Sequence, residues 1–336
     1  MVLIRSHAVI APVPVTRTAL ENQARALGFH KVGVAPADAA ELSQAVQHLR
    51  HWLAQQYHAD MHWMENPKRF DVHRCLPEVR SVICVALNYY TPQSHPKGED
   101  AAKISRYAWG RDYHKIMDKK LKALASWLQE QGGGARARYY CDTGPVQDKV
   151  WAQQAGLGWI AKNGNLITRE YGSWVFLGEV LTDLALSADR PHTEHCGSCT
   201  RCLEACPTDA ITQPFVVDAN RCIAYHTIEN RSEVLPQWIE PHLEGWVAGC
   251  DICQDVCPWN QSFAQATDVA DFYPRPENVA LKLSELAQIS DREWDRRFRG
   301  SALRRVKPRM LRRNALANQR GQQARQHADP EQPNGA

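Results

Sequence analysis

Eight of the chain's 11 cysteines lie between Cys196 and Cys257, and their spacing dictates a chemistry. Cys196-x2-Cys199-x2-Cys202-x3-Cys206 is followed at once by Pro207, and Cys250-x2-Cys253-x3-Cys257 by Pro258, with Cys222 between the two runs. Three thiolates on one tight loop cap three corners of a cubane, while a fourth, three residues on, is aimed at a second cluster. The pattern therefore predicts two 4Fe–4S clusters with crossed ligation. Cys196, Cys199, Cys202 and Cys257 are assigned to one, and Cys206, Cys222, Cys250 and Cys253 to the other. Structural zinc is the alternative for CxxC pairs, but the compressed first run and the two Cys-Pro endings disfavour it. Disulfides are disfavoured too. The opening MVLIRSHAVIAPVPV carries two prolines and makes a poor export signal, so the expected compartment is the reducing cytoplasm.

The remaining cysteines read differently. Cys75 and Cys84 sit in or beside apolar runs and are expected to be inert buried thiols; the role of Cys141 is left open. The long gap from Cys222 to Cys250 makes 223–249 an insertion within the cluster segment. Its Tyr225, His226, Trp238 and Trp246 either pack a neighbouring site or fill a core.

The elements that must carry these residues follow from periodicity. Thr18-x-x-Glu21 is a capping-box signature for a helix ending near Gly28. KVGVA reads as a strand, and Asp38-x-x-Glu41 opens a second helix to about Tyr57. SVICVAL (81–87) is a continuous apolar run of the kind found in a buried central strand. Tyr113 to Glu130 reads as a helix closed by the glycines at 132–134, ARYY as a strand, Val146 to Gly156 as a helix, and LITRE and SWVFLGEVLTD as strands. The stretch 58–80 reads as irregular. From Leu281 to about Asn318 the chain is helical again, with Leu303, Val306, Met310, Leu311, Ala315 and Leu316 on its apolar side.

Length and composition set the outer bounds. The chain has 336 residues, 44% hydrophobic and 23% charged, which suits one large or two ordinary globular domains. No window approaches the 18 apolar residues of a membrane span. Between Arg296 and Arg313 stand nine Lys or Arg and no acid; against a formal net charge of +3, the rest of the chain carries −6. Such a basic stretch on a mildly acidic body suits a polyanionic partner. No dinucleotide fingerprint or Walker run accompanies the clusters, and GLGWIAKNGN lacks the required spacing. The residues alone thus describe an iron–sulfur oxidoreductase with an unnamed electron acceptor.

Several blocks together resemble one family, the epoxyqueuosine reductases, which carry out the last step of queuosine synthesis in tRNA. These are SRYAWGRDYH (105–114), YYCDTGPVQDKVWAQQAGLGWIAKNGNLI (139–167), YGSWVFLGEVLTD (171–183), CGSCTRCLEACPTDAI (196–211), RCIAYHTIEN (221–230), GCDICQDVCPWN (249–260) and GSALRRVKPRMLRRNALAN (300–318). The resemblance covers roughly 15–318. It implies an α+β fold: a flexible N-terminus (1–15), an α/β, nitroreductase-like cobalamin-binding domain (16–190), and a ferredoxin-like two-cluster domain (191–262). A helical basic tRNA-contacting segment (263–318) follows, and 319–336 is expected to be a disordered tail. Longer members continue into a HEAT-like helical module, of which at most one or two helices are expected here.

The resemblance also supplies the missing acceptor, a cobalamin. It implies that Asp142, in Cys141-Asp142-Thr143-Gly144-Pro145, is the proton donor. To act so near neutral pH its carboxyl is expected to be raised by burial; the plainer alternative is a turn or N-cap residue. Ser105, Arg106, Asn165 and Thr168 are expected to line the cobalamin, with Cys250 and Asp251 bringing the second cluster to its edge. Tyr113 and His114 are equally readable as packing residues. Arg304, Arg305, Arg312 and Arg313 are expected to contact tRNA phosphates. An external flavodoxin- or ferredoxin-type donor, a monomer and no membrane complete the expectation. Two rivals remain at this stage, a reductive dehalogenase acting on a small organohalide and a non-catalytic two-cluster electron carrier. The first leaves the basic stretch without a purpose; the second leaves 190 N-terminal residues unexplained.

Overall fold

The computed structural model describes residues 15–39 and 42–328. The expected N-terminal flexibility up to residue 14, and the Glu41 end of the second helix's capping signature, fall outside these residues.

The N-terminal half follows one order: α1 (Arg17–Ala26), β1 (Lys31–Pro36), α2 (Leu42–Ala54), β2 (Ser81–Asn88), β3 (Ala101–Ile104), α3 (Tyr113–Gln131), β4 (Ala137–Tyr140) and α4 (Asp148–Gln154), then the short pair β5 (Trp159–Ile160) and β6 (Leu166–Ile167), and β7 (Val175–Thr182). The cap of α1 is Thr16 rather than Thr18: its hydroxyl accepts from Ala19 N at 3.2 Å. Residues 58–80 hold only short 3₁₀ turns.

Four strands form one antiparallel sheet in the order β1-β2-β7-β4. All eight residues of β2 are buried because both faces of the sheet are covered. On one face α1 and α3 contribute Leu20, Met117, Leu121 and Leu124 against Val34, Ile83, Val85 and Val180. On the other, α4 and the 72–79 turn pack Trp151, Ala152, Val72 and Leu76 against Val82, Cys84, Ala86 and Leu181. Full coverage, not parallel pairing, explains the unbroken apolar run.

A second, three-stranded sheet ties the chain together. β3 lies between Trp246–Ala248, which runs parallel to it, and Leu281–Lys282, which runs antiparallel. Segments from 16–190, 191–262 and 263–318 thus share one small sheet. The 223–249 insertion forms part of this joint. Trp246 is buried with Ile223, Leu235, Ile239 and Leu243 against Ala317, whereas Trp238 stays exposed.

The long C-terminal helix Pro308–Ala328 corrects the expected disordered tail, since 319–328 continue the helix; 329–336 lie outside the described residues. Polar side chains dock it. Asn318 donates to Trp246 O at 3.0 Å, Asn314 to Val247 O at 2.8 Å, and Arg320 pairs with Glu240. At Gly321 an added Cβ meets Glu240 O at 2.1 Å, so only glycine permits that approach. Leu316, expected on the apolar side, is 42% exposed. Among the described residues no helix is long and apolar enough to cross a membrane.

Candidate functional site

All 11 cysteines are free thiols. Cys196, Cys199, Cys202 and Cys257 line one cavity of about 150 Å³ beside Lys162, Asn163 and Trp259. Lys162 is nearly buried and donates to Gly197 O at 2.6 Å and Cys199 O at 2.9 Å, pinning the loop from inside. Crowding of thiols shows in their proton affinity: burial, then Cys196 and Cys257, push Cys202 up to about 11. The second group gathers likewise, with burial first, then Cys222 and Cys206, raising Cys253. Ala210 N donates to Cys206 Sγ at 3.3 Å, and Asn163 donates to Cys253 O at 3.1 Å. Two sets of four unpaired thiols, each mutually repelling as thiolates, suit cationic clusters that deprotonate them.

Asp142 sits just past β4, at φ +57°, a left-handed conformation that aspartate tolerates better than most residues. It is not the cap of α4: that place belongs to Gln147. Its Oδ2 accepts from Tyr113 OH at 2.9 Å and faces His114 Nε2 at 3.1 Å. The other ring nitrogen of His114, Nδ1, lies 2.8 Å from Asp112 Oδ1. Both partners arrive at the first turn of α3, whose N-cap is Asp112. The carboxyl lies in a recess that protein surrounds yet solvent reaches, with 61% of its side chain exposed. Enclosure raises its proton affinity, but the hydrogen bonds from His114 and Tyr113 outweigh this and hold it below the ordinary range. That reverses the raised carboxyl expected from the sequence. The proton sits on His114 instead: burial opposes its charge, but the bonds to Asp112 and Asp142 carry it up to about 9.

Lys149 lies within electrostatic reach of both Asp142 and the second thiol group. Lys149 donates to Gly164 O at 2.7 Å, and its charge feels Asp148, Cys253, Asp142 and Cys222 together. Arg106 links the recess wall to the cluster loop. Its backbone N–H donates to Asp251 Oδ2 at 2.8 Å, its Nη1 reaches Asp255 Oδ1 at 3.1 Å, and its guanidinium lies over Trp109 and Trp174. Asp251 is itself buried, with His95 Nε2 3.4 Å away. Ser105 is buried against Gly249, where a Cβ meets its hydroxyl at 2.1 Å. Ser105, Arg106, Cys250 and Asp251 are therefore brought together. Thr168 is not free for a ligand, because its hydroxyl donates to Gly172 O and accepts from Tyr171 N. At Asn165 the backbone N–H bonds Asn163 Oδ1, and it is Asn163 that touches the cluster loop.

The basic segment divides. Arg313 is 6% exposed and donates to the carbonyls of His226, Asn230 and Ser232, so it is a strut and not a phosphate contact. Its expected tRNA role is corrected accordingly. Arg304 pairs with Asp295 and stacks on Trp294, and Arg312 pairs with Asp291. Arg305 pairs with Glu229 yet stays exposed, as do Lys307 and Arg309, and its charge reaches Asp142. Lys149 and Asn163 carry no signal of their own in the sequence, and His114 reads there equally as a packing residue; their roles come from places distant in sequence.

Comparison with known proteins agrees with this geometry. Residues 69–143 match the family described as Epoxyqueuosine reductase QueG, DUF1730, and residues 195–260 match a 4Fe-4S double cluster binding domain. The epoxyqueuosine reductase of Synechocystis sp. (PCC 6803) is 61% identical over 287 residues, covering 85% of this chain and 99% of the relative. That of Gloeobacter violaceus is 55% identical over 303 residues, covering 89% of this chain and 94% of its own. A solved epoxyqueuosine reductase with a tRNA-Tyr epoxyqueuosine-modified stem loop is 31% identical with a TM-score of 0.82, covering 90% of this chain and 80% of that one. A Bacillus subtilis epoxyqueuosine reductase, solved with its aspartate catalytic loop swung out of the active site, gives 30% and 0.81 over the same shares. On identity, coverage and fold together, the chain belongs to the epoxyqueuosine reductase family.

Proposed function

We propose that this chain reduces epoxyqueuosine in tRNA to queuosine. The epoxide oxygen leaves as water and an alkene remains, which takes two electrons and two protons. One observation carries the reading: a proton-bearing group, Tyr113–His114–Asp142, acts on the same buried lysine, Lys149, as Cys222 and Cys253 of the second set of thiols. In this reading Cys196, Cys199, Cys202 and Cys257 hold the outer 4Fe–4S cluster, and Cys206, Cys222, Cys250 and Cys253 the inner one. Electrons enter singly from a flavodoxin- or ferredoxin-type donor.

The recess suits a cobalamin. Among the described residues the buried Nε of Arg106 and Nδ1 of His95 have no partner, as expected of polar atoms that a bound molecule completes. Ser105, Arg106 and Asp251 would hold that side of it. When bound, cobalamin supplies a low-valent metal centre that takes electrons one at a time and acts on a carbon of the epoxide.

The chain's own residues supply one of the two protons, and solvent, which reaches the Asp142 carboxyl, supplies the other. Asp142 is ionised and His114 charged at neutral pH, so the proton rests at His114 Nε2. As charge develops on the epoxide oxygen, Asp142 Oδ2 takes that proton and delivers it, with Tyr113 OH holding the carboxyl in place. Arg305, Lys307 and Arg309 form an exposed basic rim that meets tRNA phosphates without reading sequence. The modified base enters the recess unstacked. This rim favours a tRNA over a small organohalide. The chain is proposed to act as a monomer in the cytoplasm.

The test is anaerobic reconstitution, metal analysis and turnover. About eight irons and one cobalt per chain, with conversion of epoxyqueuosine to queuosine detected by nucleoside mass spectrometry, are expected. Fully loaded protein that leaves the epoxide intact refutes the proposal.

A further inference from the structure

Below the Asp142 loop lies a carboxyl pair that the reduction does not use. Glu179 stands in the middle of β7, 0% exposed, opposite Cys84 on β2 and Tyr140 on β4. Residues opposite one another in a ladder share a face, and here that is the face packed by Val146 of the preceding loop and by α4 through Trp151 and Ala152. Asp148 is the first residue of α4. Among the described residues no donor reaches either oxygen of Glu179 or Oδ1 of Asp148, and all three atoms are sealed from solvent. Burial first raises the proton affinity of both carboxyls; the neighbouring Asp148 raises that of Glu179 further, while Glu179 lowers that of Asp148, the pattern of a proton held on Glu179 beside an acceptor. Two acceptors in a dry site hold together only with a proton between them; both ionised, they repel with little screening.

The pair occupies a mechanical position. Residues 141–147 run from β4 into α4 and carry Asp142. From outside, Arg69 donates to Gly144 O at 3.0 Å and Val146 O at 2.8 Å, and Gln147 donates back to Arg69 O at 2.8 Å. From inside, the loop is joined to the sheet through Asp148 and Glu179. The charged and titratable groups facing the pair are Asp142 in the loop, Lys149 on α4, Arg69 from the 67–69 turn, Cys84 on β2 and Cys141 after β4.

We infer that Glu179 and Asp148 share one proton, and that this bridge is an inner latch holding the Asp142 loop in register with His114. Both are positioning residues, and the inference rests on Asp142 being the proton donor. Loss of the shared proton places two like charges in a dry site and parts the first turn of α4 from β7, carrying Asp142 away from its partners.

Two variants of the reconstituted holoenzyme separate the latch from plain packing. E179Q still offers Asp148 a donor but cannot ionise, whereas E179L offers none. The carboxylic-acid C=O band in the infrared spectrum at pH 8 is expected in wild type and lost in E179Q. Turnover by E179Q is expected near wild type at pH 7, while E179L loses about 10- to 100-fold in kcat with KM for tRNA unchanged. The His114 titration by NMR, about 9 in wild type, stays there in E179Q and falls in E179L. An infrared band identical in E179Q and wild type overturns the shared proton, a readout that stands even where E179L does not fold. A folded E179L with wild-type kcat and His114 titration overturns the latch. Wild-type protein without turnover sinks the functional reading instead, while the infrared band still decides the pair.

Discussion

Replacing Asp142 by Asn removes a proton carrier while leaving the shape of the site. Asparagine tolerates the φ of +57° at this position, so the turn survives where alanine adds strain. The amide oxygen still accepts from Tyr113, so that contact is kept. Two consequences follow. A lost general acid costs about 10²- to 10⁴-fold in rate, or roughly 3–5 kcal/mol of barrier. His114 also loses an anionic partner. Its proton affinity, raised from 6.5 to about 9 by Asp112 and Asp142 against the opposing effect of burial, is a stabilising term present below 6.5 and lost as pH rises through 9. The imidazole is about one-third exposed and Asp112 remains, so solvent screening leaves the Asp142 share at about 1 kcal/mol at pH 7. The assay is single turnover on epoxyqueuosine tRNA beside an NMR titration of His114, with iron and cobalt content held at wild-type values. D142N within a few-fold of wild-type rate, or with His114 still titrating near 9, would refute the assignment of the proton path.

Other outcomes follow from the same geometry. Turnover falls as pH rises through about 9, where His114 loses the proton that Asp142 delivers; a rate flat across that range separates catalysis from this histidine. Arg313→Ala leaves the carbonyls of His226, Asn230 and Ser232 without their donor and lowers stability by about 3 kcal/mol, read as a drop in Tm. Arg305→Ala, by contrast, raises KM for tRNA and lowers the salt slope by about one, with Tm close to wild type; an unchanged slope moves the RNA surface elsewhere. Cys257→Ser leaves about four irons per chain, the inner cluster alone; full iron content removes Cys257 from the ligand set.

Much of this protein can be read locally. A cluster loop is a short-range device, so the spacings around Cys196 and Cys250 announce it without any fold. β2 could be found because a strand covered on both faces has no polar side to interrupt the run. Asp142 stood out through the Cys141–Pro145 block in which it lies. Other features could not be read this way. The polar stretch 319–328 looks like a tail because its docking uses Asn and Arg bonds to backbone, which leave no hydrophobic period. Arg313 looks like its neighbours in sequence, yet the groove beside residues 226–232 takes it out of solvent.

The sequence by itself determined the redox chemistry, because thiolate spacing alone sets which corners of a cluster a loop can reach. Only the tertiary structure decided where the proton rests. Proton affinity depends on through-space partners, and those of Asp142 come from the start of α3, 28 residues back. Beneath its loop, the partners brought together are one residue of β7 and one of α4.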